Sequence, residues 1–178
     1  MKRMKALQAR LAKIKLFLCD VDGVLTDGSI YIGGEQEVKR FDIQDGLGLV
    51  LLRRAGIKIG WVSSRPSPAT TLRATELKVT FLVQQKDHHG KSAAIEKILE
   101  QEKLRWDEVC YIGDDIVDLG PLTKAGAGVA VANGVVEARA AADFTTRAAG
   151  GRGAILVVVE MILKAQGKWD AIVAAYCE

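Results

Sequence analysis

Short apolar runs alternate with helix-length segments along this chain, and the alternation restricts the fold more than any other feature. Strands are predicted in "IKLFLCD", "KIGWVSS", "VTFLVQ", "EVCYIGDD" and "AGVAVAN". Between them lie helical patterns such as "GKSAAIEKILEQEK", in which apolar residues recur at helical spacing. Strands separated by helices favour a doubly wound α/β fold, in which helices cover both faces of a parallel sheet.

The connection between the first two predicted strands contains a β-hairpin, "SIYIGG" with "EVKRFDI", and its turn is expected near Gly33 and Gly34. This connection leaves little room for a separate cap domain. The chain contains no linker, repeat or low-complexity tract, and its 178 residues fit one domain with a sizeable core. We therefore expect a single domain over residues 1–178, with a β-hairpin flap and no cap domain.

Basic residues concentrate in the N-terminal segment, residues 1–15, and supply much of the formal net charge of +3. No aromatic residue interleaves them, so we interpret the segment as a solvated helical lead-in and not as a nucleic-acid site. The apolar stretch that follows ends at Asp20 and lacks the features of a signal peptide. No run reaches the roughly 18 apolar residues that span a bilayer. We expect neither nucleic acid nor a membrane as partner.

The cysteines and histidines give weak signals. Cys19, Cys110 and Cys177 lie far apart and form no CxxC pair, so neither a zinc site nor a disulfide framework is indicated. We interpret them as thiols in a reducing compartment and expect a cytoplasmic protein. The adjacent His88 and His89 are interpreted as a surface turn, with substrate contact as the alternative.

Polar side chains gather where the predicted strands end. They are Asp20 and Asp22 after the first strand, Ser63, Ser64 and Arg65 after the second, Lys91 at a helix start after the third, and Asp114, Asp115 and Asp118 after the fourth. In doubly wound sheets, ligands bind outside the carboxyl ends of the strands. We therefore expect all of these residues to meet at one rim of the sheet.

The residue types at this rim indicate phosphoryl transfer. Crowded carboxylates raise each other's pKa, and a cation among them relieves the repulsion. Oxygen ligands favour Mg²⁺, whereas the absence of histidine and cysteine from the cluster counts against zinc. An aspartate beside the ion can attack phosphorus, and a carboxylic acid two residues later can protonate the leaving alcohol and then activate water. A serine hydroxyl and a lysine ammonium can hold the phosphoryl oxygens.

Four motifs in order resemble those of haloacid dehalogenase-type phosphatases: "DVDGVLTD", Ser63 in "VSSR", Lys91 in "GKSAA", and "GDDIVD". Three further segments, "GGEQEVKRFDIQDGLG", "TTRAAGGRGA" and "AQGKWD", are similar to the cap-less, tetrameric 3-deoxy-D-manno-octulosonate 8-phosphate phosphatases. The resemblance covers nearly everything after the lead-in. It implies hydrolysis of this sugar-acid phosphate to Kdo and phosphate, in lipopolysaccharide precursor synthesis, by a Mg²⁺-dependent homotetramer.

The resemblance also implies a role for each matching position. Asp20 is the expected nucleophile, and Asp22 is the acid/base that also offers its backbone carbonyl to Mg²⁺. Asp114 completes the expected metal ligands, supported by Asp115 and Asp118, while Ser63 and Lys91 bind phosphate. The full set of expected substrate contacts is Asp20, Asp42, Ile43, Gln44, Asp45, Gly46, Ser64, Arg65, Arg73 and Lys91.

Some positions depart from the family pattern. The second motif usually reads Thr-Gly-Arg, and Ser63 keeps its hydroxyl while Ser64 replaces the glycine. Val50 stands where the family usually has an arginine, and Ile155–Val157 replaces a common Val-Arg-Glu. The two lost charged positions leave open a phosphatase for another sugar phosphate or for a nine-carbon ulosonate phosphate.

Two alternatives belong to other functional classes. A signalling receiver domain also has an acidic pocket, a phosphorylated aspartate and a lysine, but it lacks the acid two residues further on. Asp22 therefore argues for turnover. A non-catalytic regulatory module derived from such a phosphatase is the other alternative, although the expected catalytic side chains are all present here.

Overall fold

The structure, a computed structural model, describes residues 2–33, 36–86 and 90–177. The strands are β1 (Leu16–Cys19), β2 (Tyr31–Gly33), β3 (Gln36–Val38), β4 (Lys58–Ser63), β5 (Phe81–Gln84), β6 (Val109–Gly113), β7 (Ala127–Ala130) and β8 (Phe144–Thr145). The helices are α1 (Lys2–Leu11), α2 (Ile43–Arg54), α3 (Pro68–Glu76), α4 (Lys91–Glu102), α5 (Leu119–Lys124), α6 (Val136–Ala141), α7 (Ala154–Ala165) and α8 (Trp169–Ala174).

The central sheet has six strands in the order β5-β4-β1-β6-β7-β8, and every neighbouring pair is parallel. Alternation along β1 shows why both faces are covered. Phe17 and Cys19 point into one core, with α1, α2 and α7, whereas Leu16 and Leu18 point into a second core, with α4 and α5. All four side chains are fully buried. The predicted doubly wound parallel sheet is confirmed.

The register of β1 positions the predicted site. Cys19, its last residue, lies opposite Trp61 of β4 and Ile112 of β6. Asp20 therefore follows β1 at the same sheet edge at which β4 ends in Ser63 and β6 ends in Gly113. Since β1 lies between β4 and β6, the loops after β4 and β6 flank the loop after β1, at the edge of the sheet where ligands bind in such folds.

The predicted hairpin is formed by β2 and β3, which pair antiparallel with Tyr31 opposite Val38. Gly34, part of the predicted turn, lies outside the described residues. Between β1 and β4, the described part of the chain contains this hairpin and α2, so the flap is present and no cap domain is. Tyr31, Ile32 and Val38 expose apolar side chains to the surroundings.

The lead-in is helical as predicted, but the expectation that it is solvated is wrong. Leu7 and Leu11, about one helical turn apart on α1, are buried in the core beside α7, and Ile14 continues this apolar stripe. Of the basic residues of α1 whose side chains are described, Lys5 is exposed and Arg10 is half-buried, so the high charge of the segment conceals an amphipathic helix.

Two elements were not predicted from the sequence. Strand β8 has only two residues, too few for a periodic pattern, and joins the sheet edge through Val129 opposite Phe144. Helix α8 follows α7 after Gly167, whose φ of +66° is a left-handed conformation typical of the residue that ends a helix. None of the helices in the described ranges is long and apolar enough to cross a membrane.

We predict that Leu11→Ala lowers the free energy of unfolding by about 2–4 kcal/mol, because it leaves a cavity between α1 and α7. Leu11 is 2% exposed, whereas Met4 on the same helix is 53% exposed. Met4→Ala is the matched control and should change stability by less than about 0.5 kcal/mol. Denaturant unfolding of both variants measures the difference, and equal stability would show that α1 does not belong to the core.

Candidate active site

Asp20 is the first residue after β1 and lies at the centre of the site. Its backbone N–H donates to the Ile112 carbonyl at 3.0 Å, which extends the parallel ladder by one residue. Its Oδ1 accepts a 2.7 Å hydrogen bond from the Val21 N–H. The side chain is 10% exposed. The end of the strand thus fixes both the position and the orientation of this side chain.

Lys91 begins α4 and bridges two buried carboxylates. Its ammonium lies 2.8 Å from Asp20 Oδ2 and 2.7 Å from Asp118 Oδ1, and its side chain is 3% exposed. Burial lowers the pKa of Lys91, but the charges of Asp20 and Asp118 outweigh this effect and raise the pKa. The lysine therefore stays charged at a helix N-terminus, where a cation is otherwise unfavourable.

Asp118 connects this bridge to the loop after β6. Its Oδ1 also accepts a 2.5 Å hydrogen bond from the Tyr111 hydroxyl. Its Oδ2 accepts from the backbone N–H groups of Asp114 at 2.9 Å and Asp115 at 3.2 Å. A Cβ at Gly113 would lie 2.5 Å from the Asp118 Cβ, so the close turn requires glycine. Asp118 thereby positions Asp114.

Asp20, Asp114 and Asp118 form a cluster in which one carboxylate oxygen from each lies within 4.8 Å of the others. Burial, followed by the charge of Asp118, raises the pKa of Asp20 to about 7. Burial, followed by the charges of Asp20 and Asp118, raises the pKa of Asp114 to about 8. Asp114 Oδ1 is buried and has no hydrogen-bond partner among the described residues. These all-oxygen donors with uncompensated charge fit a hard divalent cation such as Mg²⁺.

Gly23 lets the loop after β1 approach Asp114. Its φ is +91°, a conformation that side-chain-bearing residues rarely adopt. A Cβ at this position would lie 2.0 Å from Asp114 Oδ2. The glycine of the first motif therefore has a steric reason as well as a conformational one.

The predicted metal-site residues separate into two groups. The carboxylates of Asp20, Asp114 and Asp118 converge. The exposed Asp115 instead accepts a 2.6 Å hydrogen bond from the Ile116 N–H through its Oδ1. The side chain of Asp22 pairs with Lys39 next to the hairpin, so the group of Asp22 expected at the metal is its backbone carbonyl.

Asp22 contacts Lys39, a residue that the sequence analysis missed. The Lys39 ammonium lies 2.7 Å from Asp22 Oδ1 and donates a 3.0 Å hydrogen bond to Oδ2. Lys39 follows β3, and strand alternation places it on the same face as Glu37. The alternation of Glu37 and Lys39 with the apolar Val38 was the pattern from which a shared face could have been predicted. Nothing in the sequence indicated that the charged face points into the protein.

The loop after β4 keeps its shape through the hydroxyl of Ser63. This buried oxygen accepts from the Arg65 N–H at 3.1 Å and donates to the Arg65 carbonyl at 3.0 Å. Ser64 is not among the residues with positive φ, so serine fits here without backbone strain. The guanidinium of Arg65 forms an ion pair with Glu37. The pair lowers the pKa of Glu37 to about 2, chiefly through this hydrogen bond.

The run from Asp42 to Gly46 is the N-terminal turn of α2. Asp42 caps the helix, because its Oδ1 accepts from the Gln44 and Asp45 N–H groups at 2.8 and 3.2 Å. The buried Asp45 accepts from the N–H groups of Gly153 at 3.2 Å and Leu156 at 2.9 Å, at the start of α7. Its carboxylate is thus committed to joining two helices.

Other members of the predicted substrate set lie near this turn. Ile43 and Gln44 are exposed on α2. The Arg73 guanidinium lies against Gly46, where an added Cβ would be 2.5 Å from Arg73 Nη2. Arg73 Nη1 lies 2.7 Å from Glu76 Oε2 in an ion pair. His88 and His89 lie outside the described residues.

The two departures that replace charged residues of the family, at Val50 and at Ile155–Val157, lie in apolar surroundings. Val50 on α2 is half-buried against the core. On α7, the backbone of Leu156 approaches α2 so closely that a Cβ at Gly48 would lie 3.3 Å from the Leu156 Cα. Gly48 allows this close approach of α2 to α7 at a segment of α7 where the family usually has charged residues.

Comparison with known proteins identifies close relatives. Residues 76–156 match the haloacid dehalogenase-like hydrolase family. The 3-deoxy-D-manno-octulosonate 8-phosphate phosphatase of Escherichia coli strain K12 is 37% identical over 163 residues, which are 91% of this chain and 86% of that protein. The relative from Yersinia pestis is also 37% identical, over 162 residues.

Solved structures give the same assignment. The phosphatase of this name from Moraxella catarrhalis, in complex with a magnesium ion, a phosphate ion and a Kdo molecule, superimposes with a TM-score of 0.94 at 38% identity. The match covers 97% of this chain and 99% of that one. A cobalt-bound phosphatase from Haemophilus influenzae has a TM-score of 0.84 at 34% identity and covers 89% of this chain and 92% of its own. The chain belongs to the 3-deoxy-D-manno-octulosonate 8-phosphate phosphatase family of haloacid dehalogenase-like hydrolases.

Proposed function

We propose that the protein is a Mg²⁺-dependent phosphomonoesterase that hydrolyses 3-deoxy-D-manno-octulosonate 8-phosphate to Kdo and phosphate, in lipopolysaccharide precursor synthesis. The observation that carries the proposal is the buried bridge of Lys91 between Asp20 and Asp118, beside the cation-compatible Asp114. A relative with 38% identity binds magnesium, phosphate and Kdo. Phosphate is an anion that Lys91 can hold while a carboxylate of the cluster attacks it.

The first half-reaction transfers the phosphoryl group to Asp20. An oxygen of the Asp20 carboxylate forms a bond to phosphorus, and the bond from phosphorus to the sugar oxygen breaks. Asp22 gives its carboxyl proton to the departing alcohol. Lys91 and Ser63 hold the phosphoryl oxygens, and Arg65 and Arg73 bind the anionic substrate, together with residues from the run 42–46.

The second half-reaction restores the enzyme. Asp22, now a carboxylate, takes a proton from water, whose oxygen attacks phosphorus and releases inorganic phosphate from Asp20. Asp20, Asp114 and the backbone carbonyl of Asp22 would hold a magnesium ion, which would supply positive charge to the transferring phosphoryl group. Asp118 and Asp115 support the loop that carries Asp114.

We propose further that the chain acts as one domain over residues 1–178 and assembles as a homotetramer in the cytoplasm. The exposed apolar side chains of Tyr31 and Ile32 on the hairpin supply a contact surface for neighbouring copies. The cysteines Cys19, Cys110 and Cys177 are free thiols, which agrees with a reducing compartment.

The substrate prediction is tested by steady-state phosphate release from a panel of eight- and nine-carbon sugar-acid phosphates and simple hexose phosphates. We expect 3-deoxy-D-manno-octulosonate 8-phosphate to have the highest kcat/KM and chelation of Mg²⁺ to abolish turnover. Asp20→Asn should abolish phosphate release without unfolding the protein, while the exposed Asp170→Asn should leave it unchanged. Equal turnover of hexose phosphates would contradict the proposed specificity. Phosphate release by Asp20→Asn would show that Asp20 is not the nucleophile.

Magnesium stabilisation should increase with pH. The pKa values of about 7 for Asp20 and about 8 for Asp114 exceed the ordinary value of 3.8. Between the ordinary value and these raised values, the metal-free native state binds more protons than the unfolded chain. Stability of the metal-free protein therefore falls as pH rises through this window. Mg²⁺ needs the ionised carboxylates, so the increase in Tm that it causes should be larger at about pH 8 than at about pH 6.

Thermal unfolding with and without Mg²⁺ at both pH values measures this effect. Asp114→Asn should lose most of the Tm increase, because it removes a ligand, while Asp170→Asn on the exposed side of α8 keeps it. A wild-type Tm increase that is the same at both pH values would contradict proton–metal competition at this cluster.

The assembly is tested by sedimentation of Ile32→Glu, since residue Ile32 on the hairpin is 86% exposed. A charge in an apolar contact surface should convert the tetramer to smaller species. Val136 on α6 is 67% exposed, and Val136→Glu is the control that should leave the assembly intact. A wild-type monomer, or an unchanged Ile32→Glu tetramer, would contradict assembly through this surface.

A further inference from the structure

Lys39 is a buried charged residue without a role in the reaction described above. Its side chain is completely buried, with 0% exposure. An ammonium group removed from water is costly unless ionised or polar partners replace its hydration. The partners of Lys39 therefore indicate why the lysine is there.

Those partners come from three separate parts of the fold. Besides Asp22 in the loop after β1, Lys39 donates a 3.2 Å hydrogen bond to Thr70 Oγ1 on the buried side of α3. Glu37 Oε1 lies 3.7 Å from the ammonium and also accepts a 2.6 Å hydrogen bond from the Ser67 hydroxyl. The ammonium thus joins the hairpin, the first turn of α3 and the catalytic loop.

The contact with Asp22 is the one that bears on chemistry. Within the described part of the chain, Lys39 is the residue whose side chain bonds to the Asp22 carboxylate, and it approaches both oxygens. The Thr70 hydroxyl and the Glu37 carboxylate in turn hold the ammonium itself. The Asp22 side chain, in the loop after β1, is therefore held from the hairpin side.

We propose that Lys39 is a positioning residue for Asp22, which it holds in place for proton transfer to the leaving alcohol. This inference rests on the proposed function of the site. A general acid acts only within hydrogen-bond reach of the atom that it protonates, and a displacement of about 1 Å can cost about 100-fold in rate. Loss of Lys39 releases the Asp22 carboxyl group while the nucleophile, the phosphate lysine and the carboxylate cluster stay in place.

The reaction itself provides a readout specific to this role. When the bond from phosphorus to oxygen breaks, an alkoxide leaving group needs the proton of Asp22 to leave as an alcohol. A p-nitrophenolate leaving group departs as a stable anion and needs no proton. Since kcat/KM reports the steps up to release of this first product, only the sugar substrate senses the position of Asp22 in that parameter.

Lys39→Met keeps the length and removes the ammonium. We expect kcat/KM for 3-deoxy-D-manno-octulosonate 8-phosphate to fall about 30- to 100-fold, and kcat/KM for p-nitrophenyl phosphate to fall less than about threefold. The Mg²⁺-induced increase in Tm should persist, because the cluster around Asp114 is untouched. Lys164→Met, which removes an exposed lysine paired with Glu160 on α7, is the matched control and should change neither substrate.

A milder variant keeps the test valid if Lys39→Met does not fold, as judged by circular dichroism. Thr70→Val removes one partner of Lys39 at constant volume. It should lower kcat/KM for 3-deoxy-D-manno-octulosonate 8-phosphate relative to kcat/KM for p-nitrophenyl phosphate, by a smaller factor than Lys39→Met. An equal loss for both substrates, or no loss for either, overturns the positioning role. If the wild-type protein hydrolyses neither substrate, the proposed function has failed, which is a different outcome.

Discussion

A single buried ammonium between two carboxylates organises the catalytic end of the sheet. Lys91 offsets part of the charge of Asp20 and Asp118, yet the third carboxylate, Asp114, keeps the cluster negative in a poorly solvated place. The raised pKa values of Asp20 and Asp114 express that imbalance. A site in this condition gains from a divalent cation, and a bound cation together with Lys91 makes it receptive to phosphate. The excess of carboxylate charge thus favours metal binding, and the bound metal in turn favours binding of the phosphate group.

A second buried lysine links the chemistry to the hairpin. Lys39 reaches Asp22 from the stem of a flap whose outer face is apolar and exposed, while Glu37 on the same stem pairs with Arg65. The flap thus contacts a residue proposed to transfer protons and one proposed to bind substrate. These two ion pairs, together with the hydrogen bonds of Lys39 to Thr70 and of Ser67 to Glu37, hold the hairpin against the loops after β1 and β4.

The sequence was informative wherever the signal is local. Apolar runs of strand length predicted the strands that contain the core, and short motifs at their ends predicted the positions of Asp20, Ser63 and Lys91 at one edge. It was uninformative where a partner distant in sequence decides the outcome. Strand β8 pairs with β7, and the stripe of Leu7 and Leu11 was obscured by the surrounding basic residues. Lys39 looked like an ordinary strand lysine.

The amino-acid sequence by itself determined the alternation of strands and helices and the chemical groups available at the strand ends, because periodicity and residue type are properties of neighbouring residues. Only the tertiary structure decided which carboxylates converge, that Asp45 joins α2 to α7 while Asp115 caps its own turn, and that Lys39 turns inward. These outcomes depend on distances between residues far apart in the chain. Such distances exist only once the sheet has formed and brought its loops together.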